Sequence, residues 1–246
     1  MSLVIGVLAL QGDVSEHCQA IQSCGSKALP IKYEKDLNNI DGLIIPGGES
    51  TTIAKLSYGS INSASSINTK NNQTLESKIS HSLMPTRIKT KPEQDNSNNT
   101  IPYSGLINKI KTLGLSGLPI YGTCMGSIFL AKYIENNLNQ LSMQLMDIKI
   151  TRNAFGSQKN SFETTLTINC LNPSEYRAIF IRAPLIIDVG TSVEVLAYLP
   201  DYIKLDKDYP TKAIMVKEKN FLASAFHPEL TKDYRIHEYF LDMVKK

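Results

Sequence analysis

The sequence predicts an α/β fold built around a mainly parallel central sheet. Three observations support this prediction: short apolar runs recur, amphipathic stretches separate them, and the first three runs lie far enough apart for crossover helices. Later runs lie closer together, so some antiparallel strands are expected there. The strands are predicted at residues 4–10, 42–46, 118–121, 179–181, 193–198, 213–216 and 221–226.

Helices are predicted where apolar residues recur at helical spacing. Val14, Cys18 and Ile21 have this spacing after the first strand, and Gly25 is a natural residue for a helix end. Further helices are expected from about Ser104 and over residues 127–133. The C-terminal stretch predicts a docked helix from the spacing of its apolar residues, which are Ile236, Tyr239, Phe240, Met243 and Val244.

One polar segment interrupts this alternation. Residues 57–100 are rich in Ser and Asn, and such a composition leaves too little apolar surface to offset the entropy of ordering. We therefore expect a flexible surface insertion, with at most one short helix near residues 75–83. The insertion interrupts but does not divide a single domain that spans residues 1–246.

Composition narrows the class of protein. Of the 246 residues, 42% are hydrophobic, and 26 Lys and Arg against 23 Asp and Glu give a net charge of +3. This charge is too small and too evenly spread to indicate a nucleic-acid partner. No apolar run is long enough to cross a bilayer and the N-terminus lacks a signal-peptide pattern, so a soluble, cytoplasmic protein is expected.

The cysteines predict reduced thiols. Cys18, Cys24, Cys124 and Cys170 lie far apart and form no Cys-x-x-Cys pair. This spacing argues against disulfide bonds and against a zinc site, and no metal is expected.

The sharpest motif surrounds Cys124. Residues 122–126 read Gly-Thr-Cys-Met-Gly, after an apolar strand and before a helical stretch. The same pattern with serine is a nucleophile elbow, in which glycines permit a tight turn from strand to helix. A helix N-terminus favours a thiolate, and the Met125 N–H is placed to bind an oxyanion. Cys124 is therefore a candidate nucleophile, and a buried structural cysteine is the alternative.

A candidate base lies near the C-terminus. His227 follows an apolar strand and precedes Pro228, which keeps it out of the helical region. In an extended chain residues two apart face the same side, so Glu229 can orient His227. The pattern predicts a Cys-His-Glu arrangement, and an ordinary loop is the alternative. The remaining histidines lack this context, and solvated or helix-capping positions are expected for them: His17, His81 and His237.

A glycine-rich turn follows the second predicted strand. Residues 46–52 read Pro-Gly-Gly-Glu-Ser-Thr-Thr, and their backbone N–H groups could hold an oxyanion or a carboxylate. The lysine and the spacing of a phosphate-binding P-loop are both missing. An ordinary tight turn is the alternative.

These three motifs together resemble class I glutamine amidotransferases, in which they occur in the same order. Three further stretches resemble the glutaminase subunits of pyridoxal 5′-phosphate synthases: Leu-Ala-Leu-Gln-Gly at residues 8–12, Arg-Asn-Ala-Phe-Gly at 152–156, and Phe-Ile-Arg-Ala-Pro at 180–184. The resemblance covers nearly all of the chain outside residues 57–100.

The resemblance implies a flavodoxin-like, three-layer fold and hydrolysis of L-glutamine to L-glutamate and ammonia, which passes to a synthase subunit. It implies a glutamyl thioester on Cys124, with His227 acting as acid and base and Glu229 holding His227 in position. It implies no cofactor, because pyridoxal phosphate would be the product of the complex. The implied substrate contacts are Gly48, Glu49, Ser50, Arg152, Ile181 and Arg182, and the implied oxyanion donors are the N–H groups of Gly48 and Met125.

One residue bears on regulation. Gln11 is implied to lie near the oxyanion site and the synthase contact, so activity is expected to depend on the partner.

The arginines suit the α-carboxylate of glutamine, although either could form a structural salt bridge instead. Met125 departs from the family, which usually has alanine there, and Ser157 stands where many members have arginine.

Two other functions stay open on the sequence. A glutaminase for another synthase, such as one in histidine or purine formation, is disfavoured by the stretches at 152–156 and 180–184. A catalytically silent regulatory or assembly subunit is favoured by Met125 and disfavoured by the intact Cys124, His227 and Glu229.

Overall fold

A computed structural model describes residues 2–48, 104–135, 141–152, 154–155, 161–205 and 207–246. The helices are α1 (Val14–Ser23), α2 (Ser104–Leu115), α3 (Met125–Leu130) and α4 (Arg235–Val244), with short 3₁₀ helices at Glu34–Asn39 and Pro228–Leu230. The strands are β1 (Val4–Leu8), β2 (Lys27–Ile31), β3 (Gly42–Ile45), β4 (Ile120–Thr123), β5 (Ala131–Ile134), β6 (Met146–Thr151), β7 (Ser161–Thr167), β8 (Glu175–Ile181), β9 (Leu185–Val189), β10 (Glu194–Tyr198), β11 (Ala213–Glu218) and β12 (Phe221–Ser224).

The central sheet confirms the predicted α/β class. Among the described residues, ten strands form it in the order β2-β1-β3-β4-β12-β11-β9-β6-β5, and β10 pairs with β11. The first five strands in this order are parallel, and they follow the 2-1-3-4-5 pattern of flavodoxin-like sheets. Beyond them β11 and β9 pair antiparallel, as the close spacing of the later apolar runs predicts. β7 and β8 form a separate antiparallel pair.

The sheet is covered on both faces, which gives the predicted three layers. Neighbouring residues of β3 point to opposite faces, so Ile44 joins one buried cluster while Leu43 and Ile45 join the other. The cluster around Ile44 includes apolar side chains of α1 and α4, and the opposite cluster includes those of α2 and α3. Among the described residues, two helices thus pack on each face of the sheet.

Two predictions of local structure need correction or fall outside the structure. The helix expected over residues 127–133 ends at Leu130, because Ala131 turns to an extended conformation and begins β5, which pairs with β6. The polar segment at 57–100, with its predicted helix at 75–83, lies outside the described residues.

Candidate active site

Cys124 occupies a strained turn between β4 and α3. Its φ of 49° and ψ of −108° lie in a region that residues with a side chain rarely adopt. The turn is held by a hydrogen bond from the Cys124 N–H to the Ser224 carbonyl, at 2.8 Å. A Cβ on Gly122 would lie 2.5 Å from the Gly126 carbonyl carbon, and a Cβ on Gly126 would overlap the Ile45 carbonyl oxygen. The two glycines therefore allow the tight approach that the motif predicts.

Sheet topology brings His227 to the same edge. β12 lies beside β4 and parallel to it, with Ser224 opposite Thr123, so both strands end together. The nearby Cys124 thiol contributes to the raised pKa of His227. The space beside Gly47 also shows their proximity, because a Cβ there would lie 2.5 Å from His227 Cε1 and 3.2 Å from Cys124 Cβ.

Glu229 contacts the other side of the His227 ring. Its Oε1 lies 2.8 Å from His227 Nδ1, and both side chains are buried. The predicted extended chain is wrong here, because Pro228 begins a 3₁₀ helix that contains Glu229. A tight turn instead places the carboxylate beside the ring, and the expected His–Glu pair still forms.

Asp13 is a second carboxylate at this histidine, and sequence reasoning did not find it. Its Oδ2 lies 3.3 Å from His227 Nδ1. It follows Gly12, which has a φ of +84° and lies close to the Gly47 carbonyl. Glycine at this position lets the turn before α1 pack against the glycine-rich turn. A single aspartate after a glycine carries no sequence signal that would have singled it out.

These contacts shift the protonation of the buried groups. Burial alone would lower the pKa of His227, but hydrogen bonds with Asp13, Cys124 and Glu229 outweigh it and raise the pKa to about 12. The hydrogen bond with His227 lowers the pKa of Asp13, and burial raises the pKa of Glu229. The arrangement therefore favours an imidazolium beside the thiol.

Gln11 bridges the two residues expected to supply oxyanion N–H groups. Its Nε2 donates a hydrogen bond to the Met125 sulfur at 3.3 Å. A Cβ on Gly48 would lie 2.6 Å from the same nitrogen, and the φ of Gly48 is +145°. Glycine at position 48 thus leaves room for the Gln11 carboxamide beside the nucleophile.

The histidines of α1 and α4 correct a prediction. His17 and His237 were expected in solvated or helix-capping positions, but both are completely buried. Both lie on the inward faces of their helices, and His17 Nε2 lies 3.4 Å from Glu229 Oε2. His81 lies outside the described residues.

Among the described residues, one group has the proximity of metal ligands. Asp13, His227 and Glu229 each offer one ligand atom, and these atoms lie within 4.8 Å of one another. The ion pairing of the two carboxylates with His227 already accounts for this arrangement. In the same part of the chain, no helix is long and apolar enough to cross a membrane.

Comparison with known proteins places the chain in a family. The model of the SNO glutamine amidotransferase family matches residues 7–74 and 97–246. The chain belongs to this family. Among its relatives, the pyridoxal 5′-phosphate synthase subunit PdxT of Carboxydothermus hydrogenoformans is 41% identical over 98% of both chains. PdxT of Brevibacillus brevis is 38% identical over 98% of this chain and 97% of the relative.

Solved structures agree with the fold of the SNO family member. A crystal structure of a glutamine amidotransferase has a TM-score of 0.72 and 32% identity, covering 98% of this chain and 99% of the other. The PurLQS structure from Thermotoga maritima has a TM-score of 0.55 at 14% identity, covering 98% and 99%, and is similar in fold alone.

The expected substrate contacts of this SNO family member are described in part. The Cys124 thiol lies 3.8 Å from the Ile181 carbonyl oxygen, and Arg182 next to it has a left-handed φ of 44°. The antiparallel pairing of Thr151 with Leu185 brings Arg152 to the same segment. Ile181 therefore contacts the thiol, and Arg182 and Arg152 lie on neighbouring segments of the chain. Glu49 and Ser50 fall outside the described residues.

Proposed function

We propose that this chain is the glutaminase subunit of a pyridoxal 5′-phosphate synthase. It hydrolyses L-glutamine to L-glutamate and ammonia, and the ammonia passes to the synthase subunit. The contact of Cys124, His227 and Glu229 within a SNO-family chain carries the proposal, because it supplies a nucleophile, a proton carrier and an orienting carboxylate. The names of the PdxT relatives support the pathway.

The proposed reaction begins with attack by Cys124. The proton of the Cys124 thiol resides on His227 as an imidazolium, and the sulfur anion bonds to the carboxamide carbon of glutamine. The tetrahedral oxyanion accepts hydrogen bonds from the N–H groups of Gly48 and Met125. His227 then protonates the leaving nitrogen, ammonia departs, and a glutamyl thioester remains.

Hydrolysis completes the cycle. His227 takes a proton from water, which attacks the thioester carbonyl, and the proton stays on His227 beside the Cys124 thiolate as glutamate leaves. Glu229 keeps the imidazole oriented in both halves of the reaction. In this proposal Arg152 and Arg182 recognise the α-carboxylate that distinguishes glutamine from a simple amide, with Ile181, Gly48, Glu49 and Ser50 completing the substrate contacts.

The proposal also covers domain organisation and location. We propose one glutaminase domain over residues 1–246, since the family match omits only 75–96 of residues 7–246, and that gap lies inside the polar segment. A free thiol nucleophile needs a reducing compartment, which supports a cytoplasmic location with the synthase. Nucleic acid and membrane are not proposed as partners, and no cofactor or metal is needed for thiolate chemistry.

Glutamate release tests the proposal. It is measured for the purified chain alone and with a pyridoxal 5′-phosphate synthase subunit, for the wild type and for Cys124→Ala. We expect activity that rises with the synthase and disappears in Cys124→Ala. Cys170→Ala is the matched control and should keep activity, because burial raises the pKa of that thiol to about 11 and makes it a poor nucleophile.

Two results would redirect the proposal. A verified complex that releases no glutamate would indicate the silent assembly subunit. Release that rises with a synthase of histidine or purine formation, and not with a pyridoxal phosphate synthase, would indicate another pathway.

A further inference from the structure

A pair of buried imidazoles lies behind Glu229. His17 on α1 and His237 on α4 are both completely buried, and His17 Nδ1 lies 3.1 Å from His237 Nε2. The other nitrogen of His17, Nε2, lies 3.4 Å from Glu229 Oε2. His17 therefore contacts the carboxylate oxygen that does not face His227.

The protons of this pair can be assigned from their partners. Burial lowers the pKa of both histidines, that of His237 to about 4, so each carries one N–H at neutral pH. If His17 carries it on Nε2, that N–H hydrogen bonds to the Thr123 hydroxyl and faces Glu229 Oε2, a buried oxygen with no hydrogen-bond partner. Its Nδ1 then accepts from His237, which leaves a bare acceptor at His237 Nδ1. The opposite assignment puts a lone pair against the carboxylate and leaves a buried donor at His237 Nδ1, which has no partner. The first assignment is therefore favoured.

His17 also reaches the glycine-rich turn. Its Nε2 lies 3.2 Å from the Thr123 hydroxyl oxygen, and that oxygen accepts the Gly47 N–H at 3.1 Å. Thr123 immediately precedes Cys124, and Gly47 precedes Gly48. One imidazole nitrogen thus lies between the carboxylate of the His–Glu pair and the turn expected to bind the oxyanion.

We propose that His17 is a positioning residue that fixes Glu229 and, through Thr123, the Gly47–Gly48 turn in the geometry needed for glutamine hydrolysis. The inference rests on the proposed function. His17 touches neither the thiol nor the expected place of the substrate, so it acts through Glu229 and Thr123. Its Nε2 lies 3.4 Å from Glu229 Oε2, and the partial positive charge of an N–H at that position favours the charged form of a buried carboxylate that faces a cation on its other side.

Loss of this donor has a defined effect on pH dependence. Without it, Glu229 is more easily neutralised, and the His227 imidazolium loses part of its stabilisation. The alkaline limit of activity then moves to lower pH. Other titratable groups around Glu229 and His17 are Asp13 before α1, Tyr121 of β4, Cys124, Tyr176 of β8 and His237 of α4. Burial raises the pKa of both tyrosines, which stay neutral over the range of interest, and Asp13 stays charged.

Two variants of His17 separate positioning from packing. His17→Phe keeps a buried ring but has no donor, whereas His17→Gln can place an amide N–H near the position of Nε2. In the complex with the synthase subunit, we expect His17→Phe to lower kcat about 10- to 100-fold with KM changed less than about threefold. Its alkaline limit should fall by about one pH unit, and His17→Gln should restore most of kcat. Rates are expressed per alkylatable Cys124, so that loss of folded protein does not count as loss of kcat.

Either of two kinetic results would overturn the proposal. One is a His17→Phe enzyme with wild-type kcat and pH profile per reactive thiol. The other is a His17→Gln enzyme as impaired as His17→Phe, which would indicate packing alone.

A measurement on the wild type covers the case in which His17→Phe does not fold. Nitrogen NMR of the histidines at neutral pH, assigned with His17→Gln, should find the His17 proton on Nε2; a proton on Nδ1 would overturn the proposal. The measurement does not depend on turnover. A wild-type complex without glutaminase activity would therefore count against the proposed function and leave the positioning contact to the NMR result.

Discussion

The carboxylates of Asp13 and Glu229 converge on one nitrogen atom, His227 Nδ1, at 3.3 and 2.8 Å. One N–H can point well at only one oxygen, and the shorter contact belongs to the buried Glu229. Asp13 is about one-third exposed, so it contributes negative charge near His227 more than it fixes the orientation of the imidazole ring. The two residues are therefore expected to differ in their importance for catalysis.

Substitution of each carboxylate by its amide separates these contributions. Glu229→Gln is expected to lower kcat about 100-fold or more, because the imidazole loses the partner that sets its tautomer. Asp13→Asn is expected to lower kcat less than about tenfold and to move the alkaline limb to lower pH, because His227 then holds its proton less tightly. Glutamate release as a function of pH, in the complex, provides the measurement. Equal losses in both variants would contradict the assignment.

Met125 allows the sulfur contact and the packing to be tested apart. Its side chain is 2% exposed and accepts a hydrogen bond from Gln11. Met125→Ala should cost about 2–4 kcal/mol of unfolding free energy through the cavity it leaves, and Met125→Leu less than about 1.5 kcal/mol. Both keep the backbone N–H, so the proposed oxyanion donor survives.

Denaturant unfolding and glutamate release measure these effects. If the Gln11 contact restrains activity without the synthase, both variants should release more glutamate alone than the wild type does. A stable Met125→Leu protein with unchanged partner-free activity would assign Met125 to packing only.

Gly126 should tolerate no side chain. A Cβ there overlaps the Ile45 carbonyl oxygen, so Gly126→Ala must separate α3 from β3. We expect it to cost about 3 kcal/mol or more, and to abolish glutamate release. Gly25→Ala is the matched control, since its Cβ meets nothing within 4 Å and only its φ of +78° opposes substitution. It should cost about 1 kcal/mol, as measured by urea unfolding.

The buried His237 should make the protein sensitive to mild acid. Its pKa falls from 6.5 to about 4 on folding, so the unfolded chain binds the proton more readily and stability is lost as pH drops through this window. The expected loss is about 3 kcal/mol between pH 7 and pH 4. His227 acts in the opposite sense: its raised pKa stabilises the fold fully below pH 6.5, and this contribution is lost as pH rises towards about 12.

His237→Phe tests the acid sensitivity. The variant loses a partner of His17, and this loss changes its absolute stability. The readout is therefore the slope of the unfolding free energy against pH. Urea unfolding at several pH values should show a shallower decline below pH 6.5 than in the wild type. An unchanged slope would contradict the assignment to His237.

The sequence predicts the parts of the fold with strong apolar patterns. All seven predicted strands overlap observed ones, and the helices at Val14–Ser23 and Arg235–Val244 agree with their spacing. Five strands of the described residues were not predicted: β2, β5, β6, β7 and β9. β9 is an interior strand whose buried apolar run, Leu185 to Ile187, the prediction missed. β2 contains Pro30 and is mostly exposed, and β7 is largely polar, so neither has a buried apolar run.

The residues of the candidate site were also predicted only in part. Glycines at 122 and 126 are required by steric contacts, so the motif alone locates the turn at Cys124. The burial of His17 was also readable in principle, because it lies on the helix face of Val14 and Ile21. Asp13 and its contact with His227 depend on how the turn before α1 packs against the end of β12, which a single sequence does not encode locally.

The position of β12 between β4 and β11 has a consequence for the newly made protein. Cys124 and His227 meet across neighbouring strands, yet about 100 residues separate them along the chain, which at ribosomal rates is roughly 5–20 s of synthesis. During that interval the nascent chain carries its thiol without the histidine. Glutamine cleavage can therefore begin only after translation has delivered the last strand.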